Sequence, residues 1–444
     1  MIFNSGSRLA RGHWCGWLFW GIAAVFFLYE QFVWVMPNVI LVDLTQVAEA
    51  SPVKLVWALS VYLWIYAFLQ LFVGGLFDRF GTKFILCGAT AICAASCLLF
   101  GTAHNLLEIS VARGLSGFGS AFAFVGAIYV ATVWFPPSRL ALIVGITTAV
   151  GMFGQMFGQT PLVAAVEKFG WREVVVVCSW PGFALAGLIL LVIPRRPSWF
   201  KDRFAKKSEL KIGIFQGIVQ VLSRWQMWAV GTVCGVLYLP LSVLAAMWGN
   251  TFMEKAGGYS AEQASFATII LGVGWLIGCP LVGIISDLTG SRKGPLLVGI
   301  VGGGTAMLLL LWPSFLGYGG LLAVMFVGGL FTSTEVVCFA VAMELFPQSL
   351  RGTAAACCNF ITMMFAAGLQ IVIGWILTEQ IVGPVRHQLK VPHIPPVEQL
   401  PSATPDEFRW ALAVVPALFL VALALCLLLP ETAGRAVGTN DRKD

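Results

Sequence analysis

Charged side chains are scarce in this chain, at 11% of its 444 residues, and histidines number only four. A soluble domain carries about twice that share of charge, so an ordinary soluble fold is excluded. Four histidines leave a haem or zinc enzyme poorly supported. His387 and His393 share one stretch, but neither has cysteines or tight ligand spacing beside it, so no metal site is expected. The sequence lacks a Cys-x-x-Cys pair, a P-loop, a His-Glu-x-x-His helix and a Gly-x-Ser-x-Gly elbow. Without them it has no evident ATPase, metalloprotease or hydrolase chemistry. "GIVGGGTAM", beginning at Gly299, is rich in glycine but follows no strand, and it reads as helix packing rather than a dinucleotide site. The eleven cysteines nearly all lie inside apolar runs. They read as small buried thiols, neither disulfides nor ligands. Neither an enzyme nor a cofactor is expected.

Hydrophobic residues are abundant, at 59%, with 48 glycines. A run of about 20 apolar residues is long enough to cross a bilayer as a helix. Twelve such runs occur: 15–41, 55–76, 84–103, 106–133, 140–163, 172–193, 226–249, 264–285, 295–313, 315–341, 353–377 and 409–430. The first is too long for a signal-peptide core and no small-residue cleavage site follows it, so it reads as a retained span. Twelve spans put both termini on one side. Of the 27 Lys and Arg residues, 19 fall on the side of the termini, seven on the other, and Arg113 lies within the fourth run. That excess predicts cytoplasmic termini. It also accounts for the net charge of +6 without a nucleic-acid partner.

The expected architecture is an all-α membrane protein of twelve transmembrane helices in two six-helix, pseudo-symmetric halves. The first half covers residues 1–193. A basic cytoplasmic linker, 194–225, joins it to the second half, 226–444. The linker reads as a topology anchor or as an amphipathic regulatory segment. A loop over 378–408, with six prolines, is expected on the opposite side, stiffened by them.

An internal repeat supports the two halves. "GGLFDRFGTK" begins at Gly74, and "GIISDLTGSRK" begins at Gly283. Each glycine precedes an aspartate by four residues, Asp78 and Asp287. Gly81 and Gly290 follow three later, and basic Lys83 and Arg292 two further on. "WFPPSR" and "LFPQSLR", ending at Arg139 and Arg351, form a second matched pair. Glycine lets two helices approach closely. The aspartate can accept hydrogen bonds from a helix N-terminus and from a nearby arginine. Such a loop would latch one side of the bundle.

These stretches resemble the signatures of the major facilitator superfamily of transporters, over essentially the whole chain. Gly74, Asp78, Arg79, Gly81 and Lys83 match the signature after the second helix, and Asp287 and Arg292 belong to its degenerate second copy. "RGLSGFGS" at Arg113 resembles the Arg-x-x-Gln-Gly-x-Gly signature of the fourth helix, with Ser116 where Gln is usual. "ELFPQSLRGT" resembles the acidic–Pro–Arg signature that ends the tenth. The resemblance implies that Asp78, Glu344 and Arg351 join a cytoplasmic gating network. In the fifth span, Gly145, Gly154 and Gly158 keep the spacing of the drug/proton antiporter signature. Gln159, Leu162 and Val163 stand where its Gly-Pro step and closing glycines belong, which favours uptake over drug export.

Three charges lie deep in spans: Glu30 in the first, Arg113 in the fourth and Glu335 in the tenth. A charge at the bilayer centre costs roughly 2.5–3.5 kcal/mol on insertion scales, so it marks function by default. The resemblance places the first, fourth, seventh and tenth helices around a central cavity. Glu30 has three open roles: proton carrier, ligand of a cationic substrate group, or structural partner of Arg113. Arg113 is either that partner or the ligand of a substrate carboxylate, since arginine binds planar anions bidentately. Glu335 is a substrate or proton site, or a satisfied polar residue. Tyr29, Gln31, Trp34, Asn38 and Tyr238 complete the candidate lining, with Tyr62, Tyr129 and Gln155 as further hydrogen-bonding or aromatic wall residues.

The expected function is a secondary active transporter of a small polar solute, with an amino acid or small organic anion favoured. It would work by alternating access, as a proton-coupled symporter. A siderophore or iron-related transporter, a drug/proton antiporter and a transport-dead assembly or sensor protein are the alternatives. A monomer in the lipid of a bacterial inner membrane, with a small-molecule substrate and protons as partners, is the expected setting.

Overall fold

In the computed structural model, the structure describes residues 6–40, 43–44, 52–158, 160–194, 213–389 and 404–432. The described secondary structure is helical. Its helices are α1 (Gly6–Val39), α2 (Pro52–Phe80), α3 (Lys83–Gly101), α4 (Leu106–Ser120), α5 (Ala123–Trp134), α6 (Leu140–Phe157), α7 (Thr160–Phe169) and α8 (Trp171–Val192). After the linker come α9 (Ile214–Leu222), α10 (Trp225–Leu239), α11 (Gly249–Gly257), α12 (Ala261–Thr289), α13 (Lys293–Leu309), α14 (Pro313–Thr332), α15 (Glu335–Glu344), α16 (Arg351–Leu389), α17 (Pro405–Leu412) and α18 (Val414–Leu428). Among the described residues, eleven stretches are long and apolar enough to cross a membrane, and α13, an apolar helix of 17 residues, falls where the remaining expected span lies.

Local chemistry sets the ends of these helices. Asn105 caps α4 by accepting from the Glu108 amide, and Ser260 caps α12 by accepting from the Gln263 amide. Pro405, at the start of α17, has no N–H to leave unpaired. Gly81 and Gly290 occupy the same place in the two repeats, and both adopt positive φ, +79° and +60°. That conformation turns the chain sharply into the next helix and is strained for any residue with a side chain.

Two spans are broken at matching points of the repeat. The fourth bends between α4 and α5, where the Gln70 side-chain amide donates to the Ala121 carbonyl. The tenth bends between α14 and α15 at Ser333–Thr334, and Glu335 opens the second segment. The seventh span widens into a π-helix over Pro240–Trp248, which begins at the proline. Proline supplies no amide to the ladder, and Gln370 satisfies the nearby Ser242 carbonyl.

Two expected boundaries change. Part of the 194–225 linker is helix α9, whose Ile218 and Val221 are buried, and residues 195–212 lie outside the described residues. The expected 378–408 loop is helical as far as Leu389, because five of its six prolines come later, and 390–403 lie outside the described residues. The halves meet through α2 against α16 and α6 against α12. Glycines make this seam close: a Cβ on Gly74 would overlap the Gly352 carbonyl, and one on Gly283 would overlap that of Ala141. The end of the bundle holding Gly81, Gly290 and the linker is called the linker end below.

Candidate functional site

Two polar clusters are built into the apolar bundle. One is at mid-depth and the other closes the linker end.

At mid-depth, Glu30, Arg113 and Glu335 are 2%, 6% and 5% exposed, so none of them reaches lipid or bulk water. The Glu30 carboxylate accepts from Tyr62 Oη at 2.8 Å and from Gln31 Nε2 at 3.0 Å. Gln31 in turn accepts from Gln155 at 2.6 Å, tying α1 to α6. The Arg113 guanidinium lies 4.4 Å from the centre of the Tyr62 ring. A cation over an aromatic face is attracted by the ring quadrupole. Tyr62 also stacks on Tyr66, with ring centres 5.8 Å apart, and Tyr66 Oη accepts from Asn359 Nδ2 of the other half at 3.4 Å.

Arg113 makes no ion pair among the described residues. Its Nε is buried without a hydrogen-bond partner, and so is the Oγ of Ser116, one turn along α4. Both residues line a small cavity between α1, α3 and α4, together with Met36, Ser96 and Phe100. Two polar groups therefore border the same space with nothing bonded to either atom. In the other half, Glu335 accepts from the Cys234 thiol at 3.2 Å.

The remaining sequence candidates divide. Tyr29 turns away from Glu30, donating to the Cys178 carbonyl at 3.1 Å and packing against Gly182. Tyr238 sets its ring edge-on to Trp275. Trp34 is partly buried on α1, and the Asn38 side chain lies outside the described residues. Gln31 does belong to the cluster. Tyr66 and Asn359 were missed, and Tyr62 was one aromatic among several. A tyrosine on an apolar helix reads as packing until its hydroxyl partner is seen.

At the linker end, Asp78 Oδ2 accepts from the Thr353 amide at 3.1 Å and its hydroxyl at 2.8 Å, across the seam to α16. Asp287 Oδ2 accepts from the Leu142 amide at 3.0 Å, across the seam to α6. Each repeat aspartate thus binds the N-terminal turn of a helix in the opposite half, where the unpaired amides and the dipole favour negative charge. Arg292 gathers the rest. It donates to Asp287 at 2.5 Å, Ser286 at 3.0 Å, Glu344 at 2.8 Å and the Pro137 carbonyl at 3.0 Å. Burial works against the charged guanidinium, but the Glu344 and Asp287 carboxylates outweigh it and hold its pKa above the ordinary arginine value. Thr432 also donates to Glu344.

The gating network implied for Asp78, Glu344 and Arg351 assembles differently. Glu344 pairs with Arg292 of the repeat, and Arg351 makes no ion pair among the described residues, its Nε being buried without a partner. Lys83 starts α3 half-buried, and exposed Arg79 lies over the Phe80 ring.

A twelve-span helical bundle in two halves, with a latched end and buried charges at mid-depth, is the architecture of a membrane transporter. The family model of the Major Facilitator Superfamily matches residues 18–370, and the chain belongs to that family. It is similar to the probable sulfoacetate transporter SauU of Cupriavidus necator, with 27% identity over 53% of this chain and 57% of that protein. It is also similar to the gentisate transporter of Corynebacterium glutamicum, at 25% over 64% of each chain. The probable galactarate/D-glucarate transporter GudP of Escherichia coli aligns at 24% over 56% of this chain and 63% of that one. The chain thus matches less than two thirds of the length of these curated relatives. Among solved structures, the proton:xylose symporter XylE shares the fold, with a TM-score of 0.69 at 16% identity over 96% of this chain and 98% of that chain.

Proposed function

We propose that the protein is a secondary transporter of a small organic anion, working by alternating access and coupled to protons. The observation that carries this reading is Arg113: a buried guanidinium with no ion pair among the described residues, bordering a cavity about the size of one water that must widen to admit a solute, in an interior where an unpaired charge is expensive. An incoming carboxylate or sulfonate would supply the missing counter-charge and accept from the free donors. Relatives named for sulfoacetate, gentisate and galactarate/D-glucarate point to the same chemical class.

Glu30 is the proton site in this reading. Its carboxylate is held by neutral donors, Tyr62 and Gln31, and it makes no direct ion pair with Arg113 among the described residues. Glu335 is the second buried carboxyl, on the C-terminal side of the site. The linker end is cytoplasmic by its excess of Lys and Arg, the two halves are residues 1–193 and 226–444, and the state described is closed on that side. Opening requires the Asp78 and Asp287 bonds to break together with the glycine seam.

The test is uptake into proteoliposomes of labelled sulfoacetate, gentisate and D-glucarate. At least one acid should accumulate when the outside is made acidic, and Glu30→Gln should abolish accumulation. Uptake that ignores an imposed pH gradient would remove the proton. Transport of neutral sugars with no response to any of the acids would remove the anion.

A further inference from the structure

The mid-depth cluster has a geometric peculiarity: the two groups assigned to substrate and proton do not touch each other, yet both touch Tyr62. Its hydroxyl is 2.8 Å from Glu30 Oε1, and its ring face carries Arg113 at 4.4 Å. On its other side Tyr62 stacks on Tyr66, which accepts across the seam from Asn359 on α16. That is the helix whose N-terminal turn Asp78 holds at the linker end.

We propose that Tyr62 is the coupling residue of this transporter, through which the occupancy of Arg113 by an anion and the protonation of Glu30 are linked. This rests on the reading of Arg113 as anion site and Glu30 as proton site.

Tyr62 meets two demands with one side chain. A hydroxyl donating to a carboxylate makes a charge-assisted bond, about twice as strong as a neutral one. When Glu30 takes a proton the bond loses that charge, and Tyr62 is held less firmly. The ring under Arg113 is then free to shift with the guanidinium as it turns to meet an anion. In the reverse direction, an anion that draws Arg113 off the ring face weakens the position from which Tyr62 donates, and so favours the protonated carboxyl. The carboxyl O–H forms as a hydronium ion on the open side gives up its proton and becomes water, and no other covalent bond changes. Binding linkage is reciprocal, so proton and anion must each raise the affinity of the other by the same factor. Gln31, from α1, also faces Glu30, as do Ser120 and Arg113 from α4, Cys93 from α3 and Tyr66 from α2. Of the groups donating to Glu30, Tyr62 is the one that also lies against Arg113. Tyr66 and Asn359 give the shift an outlet, because a displaced Tyr62 moves the stacked ring bonded to α16.

The test measures the affinities of purified full-length protein for sulfoacetate, gentisate and D-glucarate at pH 6 and pH 8. Wild type should bind at least one acid on the order of tenfold more tightly at pH 6, a typical coupling factor. Tyr62→Phe keeps the ring and removes the hydroxyl, and its ratio should fall to within about twofold of unity, whatever happens to the absolute affinity. Glu30→Gln should be equally flat. A structural loss would weaken binding at both pH values and leave the ratio steep. If Tyr62→Phe does not fold, Tyr62→Met lacks the same hydroxyl and must flatten the ratio too. A steep wild type with an equally steep Tyr62 variant overturns the coupling role while leaving the proton–anion reading intact. A flat wild type, or no binding of any of the three acids, overturns that reading and the coupling role with it.

Discussion

The two repeat loops use the same backbone device and reinforce it differently. At Asp78 and at Asp287 a carboxylate crosses the seam to the first turn of a helix in the other half, over a glycine that lets the two helices touch. Around Asp287, Arg292 bridges the aspartate, Ser286, Glu344 and a carbonyl of the opposite half. Among the described residues, Asp78 has no such counterpart: its Oδ1 is buried without a hydrogen-bond partner, and so is Arg351 Nε on the helix it grips. The two latches thus share one shape, and among the described residues the second carries an ion-pair network that the first lacks. A gate that must open repeatedly gains from one firm side and one yielding side. The account therefore expects the α2–α16 seam to part before the α6–α12 seam.

The largest effect expected from breaking this comparison is at Arg292. Arg292→Ala leaves Asp287 and Glu344 buried without their cation, which costs about 3–5 kcal/mol. A fall in melting temperature and loss of the state closed at the linker end should follow. A variant as stable as wild type would show that the second latch carries no load. Next come the glycines that both latches share. Gly74→Val and Gly283→Val each force a side chain into a facing backbone carbonyl, where overpacking costs about 1–3 kcal/mol. Both should slow counterflow to a similar degree, and an effect confined to one would break the shared backbone device.

The aspartates should differ. Hydrogen bonds to charged groups contribute about 1.5–3 kcal/mol; Asp287→Asn, which takes an ionic partner from Arg292, should fall at the upper end and Asp78→Asn, whose donors are neutral, at the lower. Thermal unfolding of the two variants side by side checks the order, and the reverse order would contradict the asymmetry. The smallest effect is in the unaltered protein. The Thr353 amide, held by Asp78, should exchange its hydrogen with solvent faster than the Leu142 amide, held by Asp287. Equal protection at the two sites would erase the distinction.

Much of this was legible in the sequence for a plain reason. Gly74, Asp78 and Gly81, with their partners Gly283, Asp287 and Gly290, act through the backbone: close approach, helix-end binding and positive φ. Such roles demand particular residue types at fixed spacing, and the spacing survives duplication. Apolar runs likewise marked the spans, because the bilayer imposes their length.

The pairing of side chains was not legible. Glu344 takes Arg292 rather than Arg351, since which guanidinium reaches a carboxylate depends on how helices from distant parts of the chain are packed. Tyr62 and Tyr66 looked like any aromatic on an apolar helix, and Asn359 like any polar residue at an interface. Only the approach of α2 to α1, α4 and α16 gives them partners. The direction of Tyr29 was hidden for the same reason. Next to Glu30 in sequence, it points toward α8, as consecutive residues on a helix must face different neighbours.

The central claim is that Arg113 receives an anion from the solute. Counterflow of labelled sulfoacetate, gentisate and D-glucarate in proteoliposomes, wild type against Arg113→Gln, tests it most directly. The account predicts that wild type exchanges at least one of these acids and that Arg113→Gln lowers the exchange by about tenfold or more, equivalent to roughly 1.4 kcal/mol of lost interaction. Exchange undiminished in Arg113→Gln would contradict it.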